Sequence, residues 1–335
     1  MPATIRDVAK LANVGVGTVS RVINKNPSVS VKTQEKVLEA IQQLDYHPNP
    51  IARQLSTGKT LTIGVILPYL TMPSYVERLR GVQNALADGI YDLVLFSVGN
   101  QKQRDIYFSD MALGNRVDGI LIISLPPNDE QAQRFAESPT PTVLVDAYHP
   151  NLNSIITNDV EGGKKATTHL IELGHTKIAF LSDFLDTPFH PSMQYRYQGY
   201  RKALDDAGIP FRSDYHLEGE NERSVAREMG KHILALDDPP TAIFAGCDIQ
   251  AAGIIDTTQE LGVRVPEDVS IIGYDGIRDA EYLNLTTIEQ HLHDSGVTGA
   301  KLLLGSIENQ GNQNPERVYL PTELIIRNTT AKLSS

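Results

Sequence analysis

Thr4-Ile5-Arg6-Asp7-Val8-Ala9-Lys10-Leu11-Ala12-Asn13-Val14-Gly15 runs straight into Val16-Gly17-Thr18-Val19-Ser20-Arg21-Val22-Ile23-Asn24, and each half carries its own helical pattern. Thr4 and Asp7 stand at the spacing of a capping box, after which Ile5, Val8, Ala9 and Ala12 share one face of a short helix. In the second half Val19, Val22 and Ile23 form a buried stripe, while Val16, Gly17, Ser20 and Arg21 point elsewhere. The second helix begins within four residues of the first. A third starts after Ser30 as its cap and is expected to bury Val37, Leu38, Ile41 and Leu44. Three short helices with a tight first turn describe a helix-turn-helix module, whose second helix enters the major groove of DNA.

Charge separates this module from everything after it. Residues 1–60 hold eight Lys/Arg against four Asp/Glu, giving +4; the other 22 Lys/Arg against 37 Asp/Glu give −15, which together make the net −11. Only the N-terminal piece has the sign that phosphates attract, and an acidic body repels DNA from the rest. With 335 residues and 41% hydrophobic content the chain can build a small module and a large core. No apolar run reaches the ~18 to 20 residues of a membrane helix, and the N-terminus lacks a signal-peptide layout, so a cytoplasmic protein with no membrane partner is expected. Cys247 is the single cysteine, which excludes an intramolecular disulfide and a cysteine-clustered zinc site.

T-I-R-D-V-A-K-L-A-N-V followed by G-T-V-S-R-V-I-N resembles the signature of the LacI/GalR family of transcriptional regulators. The resemblance covers nearly the whole chain and is strong again in I-E-L-G-H-T-K-I-A-F at 171–180. It implies that Val16, Gly17 and Arg21 read base edges, Arg21 with a two-pronged contact to guanine. It also implies that Thr4, Thr18, Ser20 and Asn24 contact phosphates or support the reader. Gly15 departs from the family, which usually has a capping serine there; glycine keeps most of the capping preference.

Tyr46-His47-Pro48-Asn49-Pro50-Ile51-Ala52-Arg53-Gln54-Leu55 and the loop-like Ser56-Thr57-Gly58-Lys59-Thr60 come next. Asn49 can cap and Pro50 suits a first helical position, so about one and a half helical turns are encoded, too few to persist alone in water. In the family this segment lies in the minor groove. There the residue matching Leu55 wedges between base pairs, with Ala52 beside it.

From Leu61 onward short apolar runs alternate with helical stretches. Strands are expected at 61–67, 91–98, 119–124 and 142–146, then at 178–182, 215–217, 242–245 and 269–273, with helices between. Two such sets imply two lobes. Late strands at 287–290 and 318–326, around a helix near 293–307, should cross back and complete both, as in the periplasmic sugar-binding fold this region resembles. The expected fold class is a small all-α helix-turn-helix domain plus an α/β two-lobed core of doubly wound parallel sheets, periplasmic-binding-protein-like. The expected domains are 1–47 for the reader, 48–60 for the hinge and 61–335 for the core. Lobe 1 takes about 61–157 and 288–318, and lobe 2 about 158–287 and 319–330.

Ligands of open α/β sheets gather at the carboxyl ends of strands, so residues just after strands are the candidates. Asp146, Asp248, with Cys247 before it, and Asp275 hold such positions, and Arg196 lies in R-Y-Q-G-Y-R-K-A-L, which resembles the family's effector-arginine segment. Carboxylates that accept from hydroxyls and a guanidinium that donates to oxygens suit a sugar. Tyr75, Phe189 and Phe244 are the candidate ring-stacking partners, since tryptophan is absent. A nucleoside, a purine or a phosphorylated metabolite is the alternative ligand.

Enzyme motifs fail on inspection: there is no G-x-S-x-G, no G-x-x-x-x-G-K-[ST] and no G-x-G-x-x-G. Gly162-Gly163-Lys164-Lys165 opens a helix, and His291 and His293 have no third metal ligand. The sequence therefore reads as a repressor without catalytic residues, metal or cofactor. Its implied partners are a pseudo-palindromic DNA operator, a sugar effector and a second copy of itself. A cytosolic sugar-binding protein without regulation would explain the core but not residues 1–60.

Overall fold

Val8, Val19 and Val37 are fully buried against one another's helices, and that contact makes the N-terminal unit. The computed structural model describes residues 3–23, 26–47, 58–109, 116–186, 191–309 and 314–333. It forms two units, Met1–Thr60 and Leu61–Ser335. In the first, α1 (Ile5–Leu11), α2 (Val16–Ile23) and α3 (Val31–Gln43) surround the three valines, with Ile5, Ile23, Ile41 and Leu44 packed at the edge. The Thr4 backbone N–H and hydroxyl both donate to Asp7 Oδ2, at 2.9 and 2.7 Å, and those bonds hold the Asp7 carboxyl below the usual range. Ser30 caps α3, its Oγ accepting from the Thr33 N–H at 3.4 Å. Leu38 corrects the sequence expectation: it is 56% exposed, because it lies about 100° round the helix from Val37 while Ile41 and Leu44 fall back on the buried face.

The second unit holds two six-stranded sheets that share one strand order. β1 (Thr62–Pro68), β2 (Asp92–Val98), β3 (Gly119–Ile123), β4 (Thr142–Val145), β5 (Asn153–Ile156) and β11 (Arg317–Tyr319) stand in the order β2-β1-β3-β4-β5-β11, all parallel. The other sheet comprises β6 (Ile178–Ser182), β7 (His216–Glu218), β8 (Ala242–Ala245), β9 (Ser270–Asp275), β10 (Thr286–Glu289) and β12 (Glu323–Ile325). Its order is β7-β6-β8-β9-β10-β12, and only β12 is antiparallel. Helices cover both faces, so central strands such as β1 and β9 are buried along nearly their whole length. The sequence expectation of one strand over 318–326 is corrected to two strands, one in each sheet, and β5 was not anticipated. Pro321 and Thr322 lie between these two strands, where the chain passes from one lobe to the other.

The helices are α4 (Pro73–Leu86), α5 (Gln101–Ser109), α6 (Asp129–Glu137), α7 (Asp159–Glu172), α8 (Ser192–Asp206), α9 (Arg223–Leu234), α10 (Asp248–Leu261), α11 (Arg278–Tyr282) and α12 (Leu292–Glu308). Glycines let pairs of them touch backbone to backbone. A Cβ on Gly81 of α4 would lie 2.0 Å from the His293 carbonyl oxygen of α12, and one on Gly296 would lie 2.0 Å from that of Arg78. Gly163 of α7 meets Arg196 of α8 in the same way, at 2.3 Å, and Gly199 meets Val160 at 2.2 Å. Gly163 thus lies within a packed helix crossing, one turn inside α7, while Gly162 beside it faces the Tyr274 side chain of β9.

Gly163→Ala should cost about 1–3 kcal/mol by overpacking, because backbone rather than a movable side chain fills the space. Urea denaturation checks this; an unchanged midpoint would mean that the crossing relaxes freely.

Candidate functional site

In the N-terminal unit the exposed face of α2 carries the predicted readers. Val16 is 43% exposed, Gly17 and Arg21 are exposed, and Thr18 and Ser20 are half-buried beside them. Arg21 Nε donates to the Gly17 carbonyl at 3.2 Å, which lays the guanidinium along that face. A Cβ on Gly17 would meet only Arg21 Nη2, at 3.9 Å, so the backbone there is open to close approach. The Gly15 carbonyl accepts from the Thr18 and Val19 N–H groups at 2.8 and 3.2 Å, placing Gly15 at the helix cap. Thr4 is exposed at the start of α1. Asn24, Ala52 and Leu55, with nearly all of the hinge segment, lie outside the described residues.

In the second unit the carboxyl ends of the strands carry unusual backbone. Tyr69 after β1, Ser124 after β3, Asp146 after β4 and Asp275 at the end of β9 all have positive φ, at 44°, 54°, 57° and 114°. Residues with a Cβ adopt such angles at a cost of ~1–3 kcal/mol, so surrounding bonds must hold them. Ser124 Oγ donates to Asp146 Oδ2 at 2.5 Å, and Gln290 Nε2 donates to Asp275 Oδ1 at 2.6 Å.

Arg196 is the hub of lobe 2. Its Nε donates to Asp159 Oδ1 at 3.0 Å and its Nη1 to the Gly246 carbonyl at 2.7 Å. Nη1 also lies 3.1 Å from Asp275 Oδ1, and the guanidinium sits 3.9 Å over the Tyr274 ring. Burial works against its charge, but the flanking Asp275 and Asp159 more than offset it and hold Arg196 protonated. Burial raises the carboxyls of Asp159 and Asp275 against the pull of the same guanidinium.

Facing it from lobe 1 is Arg78, only 2% exposed, with Nη2 3.1 Å from Asp146 Oδ2. Its buried Nε has no hydrogen-bond partner among the described residues. Tyr75, one turn earlier on α4, lines the same cleft, and burial pushes its hydroxyl far up. Sequence reasoning missed Arg78, Asp159 and Ser124. For Arg78 a signal existed: it is an arginine on the face that Tyr75 and Val82 mark as buried, at i+3 and i+7. Nothing of comparable strength marked Asp159 or Ser124.

The structure brings Tyr75, Asp146, Arg196 and Asp275 together around this cleft. Phe189 lies outside the described residues. Phe244 is corrected: it lies within β8, short of the strand's carboxyl end, and packs in the apolar layer under α7 and α8, its ring 4.9 Å from that of Phe180. Asp248 is corrected too. It is fully occupied inside the lobe, accepting from Thr287 Oγ1 at 2.6 Å and from the Ile277 N–H at 3.0 Å, and burial raises its carboxyl. Cys247 sits one side chain behind the wall, its thiol donating to Oδ1 of the cleft residue Asn221 at 2.7 Å. Among the described residues no group of three or more His, Cys, Asp or Glu is arranged to hold a metal, and no helix is long and apolar enough to cross a membrane.

Residues 4–49 match the bacterial regulatory proteins of the lacI family, and residues 167–330 match the periplasmic binding protein-like domain. Catabolite control protein A of Priestia megaterium is 36% identical over 335 residues, covering 98% of this chain and 100% of that one. The chain belongs to the LacI family. The HTH-type transcriptional repressor PurR of Vibrio parahaemolyticus is 38% identical over 99% of this chain and 100% of its own length. Among solved structures, the Lac repressor dimer bound to operator and the anti-inducer ONPF superposes with a TM-score of 0.83 at 29% identity, covering 99% of this chain and 100% of that one. The transcriptional regulator CelR–cellobiose complex does so at 0.69, also at 29%, covering 98% and 99%. This LacI-family member is therefore a DNA-binding transcriptional repressor with a ligand-binding core.

Replacing Arg196 by methionine would leave two buried carboxylates without their cation and should cost about 3–5 kcal/mol. The two carboxyls titrate above their unfolded values, so the folded variant binds more protons than the unfolded chain and its stability falls as pH rises through the folded pKa values. Urea melts should thus show a smaller loss at pH 5 than at pH 7.5; an equal loss would mean that both carboxylates are already solvated. Cys247 is buried, and burial pushes its thiol well up. A thiol-reactive dye at pH 8 should label the chain only after unfolding, and fast labelling of the native protein would show that the cleft wall opens.

Proposed function

We propose that this repressor binds a pseudo-palindromic operator as a homodimer and that a small neutral polyol, a sugar, held between the core lobes sets its affinity for DNA. The observation that supports the ligand class is the charge of the cleft. Arg78 and Arg196 are already paired with Asp146, Asp159 and Asp275, and Asp183 stands at the same cleft. Among the described residues that line this cleft both guanidinium groups are thus matched by carboxylates, whose oxygens accept readily from hydroxyls. That weighs against the phosphorylated metabolite. The cellobiose held by CelR is a ligand of the proposed kind.

The cleft is narrow as it stands, about 30 Å³, which is room for little more than water. A sugar therefore enters only when the lobes part, and a ligand that prefers one arrangement shifts the population toward it. Arg278 of lobe 2 lies 3.4 Å from Glu77 of lobe 1, a contact across the rim that parting would break. Residues 48–60 are the hinge through which that shift reaches the reader, and 1–47 is the reader itself. The homodimer would cover exposed apolar side chains such as Tyr282, 83% exposed, and Leu261, 52% exposed.

Arg21→Ala should abolish the sequence-specific footprint while leaving the thermal midpoint and ligand-induced shifts of the core unchanged. A wild-type footprint from this variant would end the assignment of α2 as the reader. Repeating the footprint with each compound that raises the midpoint gives the sign of regulation; if every stabilising compound left the footprint unmoved, the ligand would not control DNA binding.

A further inference from the structure

Beside the narrow cleft, and sharing Asp146 and Ser192 with it, lies a second chamber of about 280 Å³. Its walls come from both lobes. On the lobe 1 side the Arg317 guanidinium rests 3.7 Å over the Tyr148 ring, and Nη1 donates to the Tyr319 hydroxyl at 3.0 Å, so three side chains form one preassembled surface. On the lobe 2 side stands Tyr195, the residue directly before Arg196 on α8. Consecutive residues of one helix thus serve adjoining chambers: Arg196 is buried at the narrow cleft, and Tyr195 is 42% exposed at the wide one.

We propose that the wide chamber is a second ring subsite and that the ligand of this protein is a two-ring saccharide. One ring, admitted as the lobes part, meets Arg196, Asp275 and Arg78, and the other lies beside Tyr195 and the Tyr148–Arg317–Tyr319 surface. This rests on the reading of the cleft as a sugar site. The chamber volume is near the ~300 Å³ at which small-molecule pockets begin, enough for one ring but not for two. Its chemistry is that of a pyranose in negative. Tyr195 and Tyr319 offer apolar ring surface to the C–H faces of the sugar, while Ser124, Thr157, Asp159 and Arg317 offer partners to the hydroxyls round its edge. A purine also has two stacking faces and a polar edge, and the nucleoside arm of the titration below separates it from a saccharide. Asp146 and Ser192 border both chambers, so a glycosidic link between the two rings would pass beside them. A ring held by one tyrosine from lobe 2 and two from lobe 1 also ties ligand occupancy to the relative position of the lobes.

The test is calorimetric titration of the full chain with cellobiose, maltose and lactose against glucose and galactose. At least one disaccharide should bind tenfold or more tightly than its component monosaccharides. Tyr195→Ala and Tyr319→Ala, both at exposed positions that the fold does not need, should each erase most of that ratio. They should change monosaccharide affinity less than twofold, and Tyr195→Phe should keep the ratio. Equal affinity for mono- and disaccharides, or a ratio that survives both alanine variants, overturns the second subsite. So does the absence of saccharide binding. If a nucleoside then binds and shifts the operator footprint, the ligand-controlled repressor stands and only the saccharide assignment falls; if no ligand moves the footprint, the broader reading fails with it.

Discussion

The buried guanidinium of Arg196 organises the second lobe. A charge removed from water is tolerated only when it is paired and hydrogen-bonded, and here Asp159 of α7, the Gly246 carbonyl after β8, and Tyr274 and Asp275 of β9 all meet it. Each partner is fixed in turn by the demand. Asp275 takes a backbone angle that residues with a Cβ rarely adopt and is held there by Gln290. Asp159 opens α7, and α7 reaches Arg196 closely enough only because Gly163 has no side chain where the two helices cross. The network, the positive-φ strand end and the glycine crossing are three aspects of one constraint.

Lobe 1 repeats the arrangement with different parts. Arg78 and Asp146 pair at the carboxyl ends of its strands, Ser124 holds the carboxylate, and Gly81 and Gly296 seat α4 against α12. Two preorganised charged surfaces therefore face each other across a cleft nearly closed at its centre and open at one side. Such a pair of surfaces suits a switch, because any molecule that bridges them adds binding energy to one lobe arrangement and not to the other.

The reader module was almost wholly legible in the sequence. Its helices are short, their buried faces follow strict helical spacing, and their caps are local, so Thr4, Asp7 and Ser30 act on neighbours three residues away. The alternation of strands and helices gave two parallel sheets for a similarly local reason. Of the cleft residues placed by strand-end position, Asp146 and Asp275 do line it, while Asp248 turned inward to Thr287 and Ile277. Position after a strand states where a residue lies but not which partner its side chain finds. Phe244 missed the cleft because it lies inside β8, where helices cover both faces of the sheet and either side of the strand is apolar core.

By itself the sequence determined the charge asymmetry, the helix-turn-helix, the two α/β sets and the arginine at 196, because each depends on residues close together along the chain. Only the tertiary structure decided that Arg78 faces Asp146 and that Arg317 lies on Tyr148, pairs separated by long stretches of chain. It also decided that 317–319 and 323–325 belong to different sheets. Those pairings follow from how whole elements pack, and packing is settled by the shapes of distant surfaces, which no local pattern encodes.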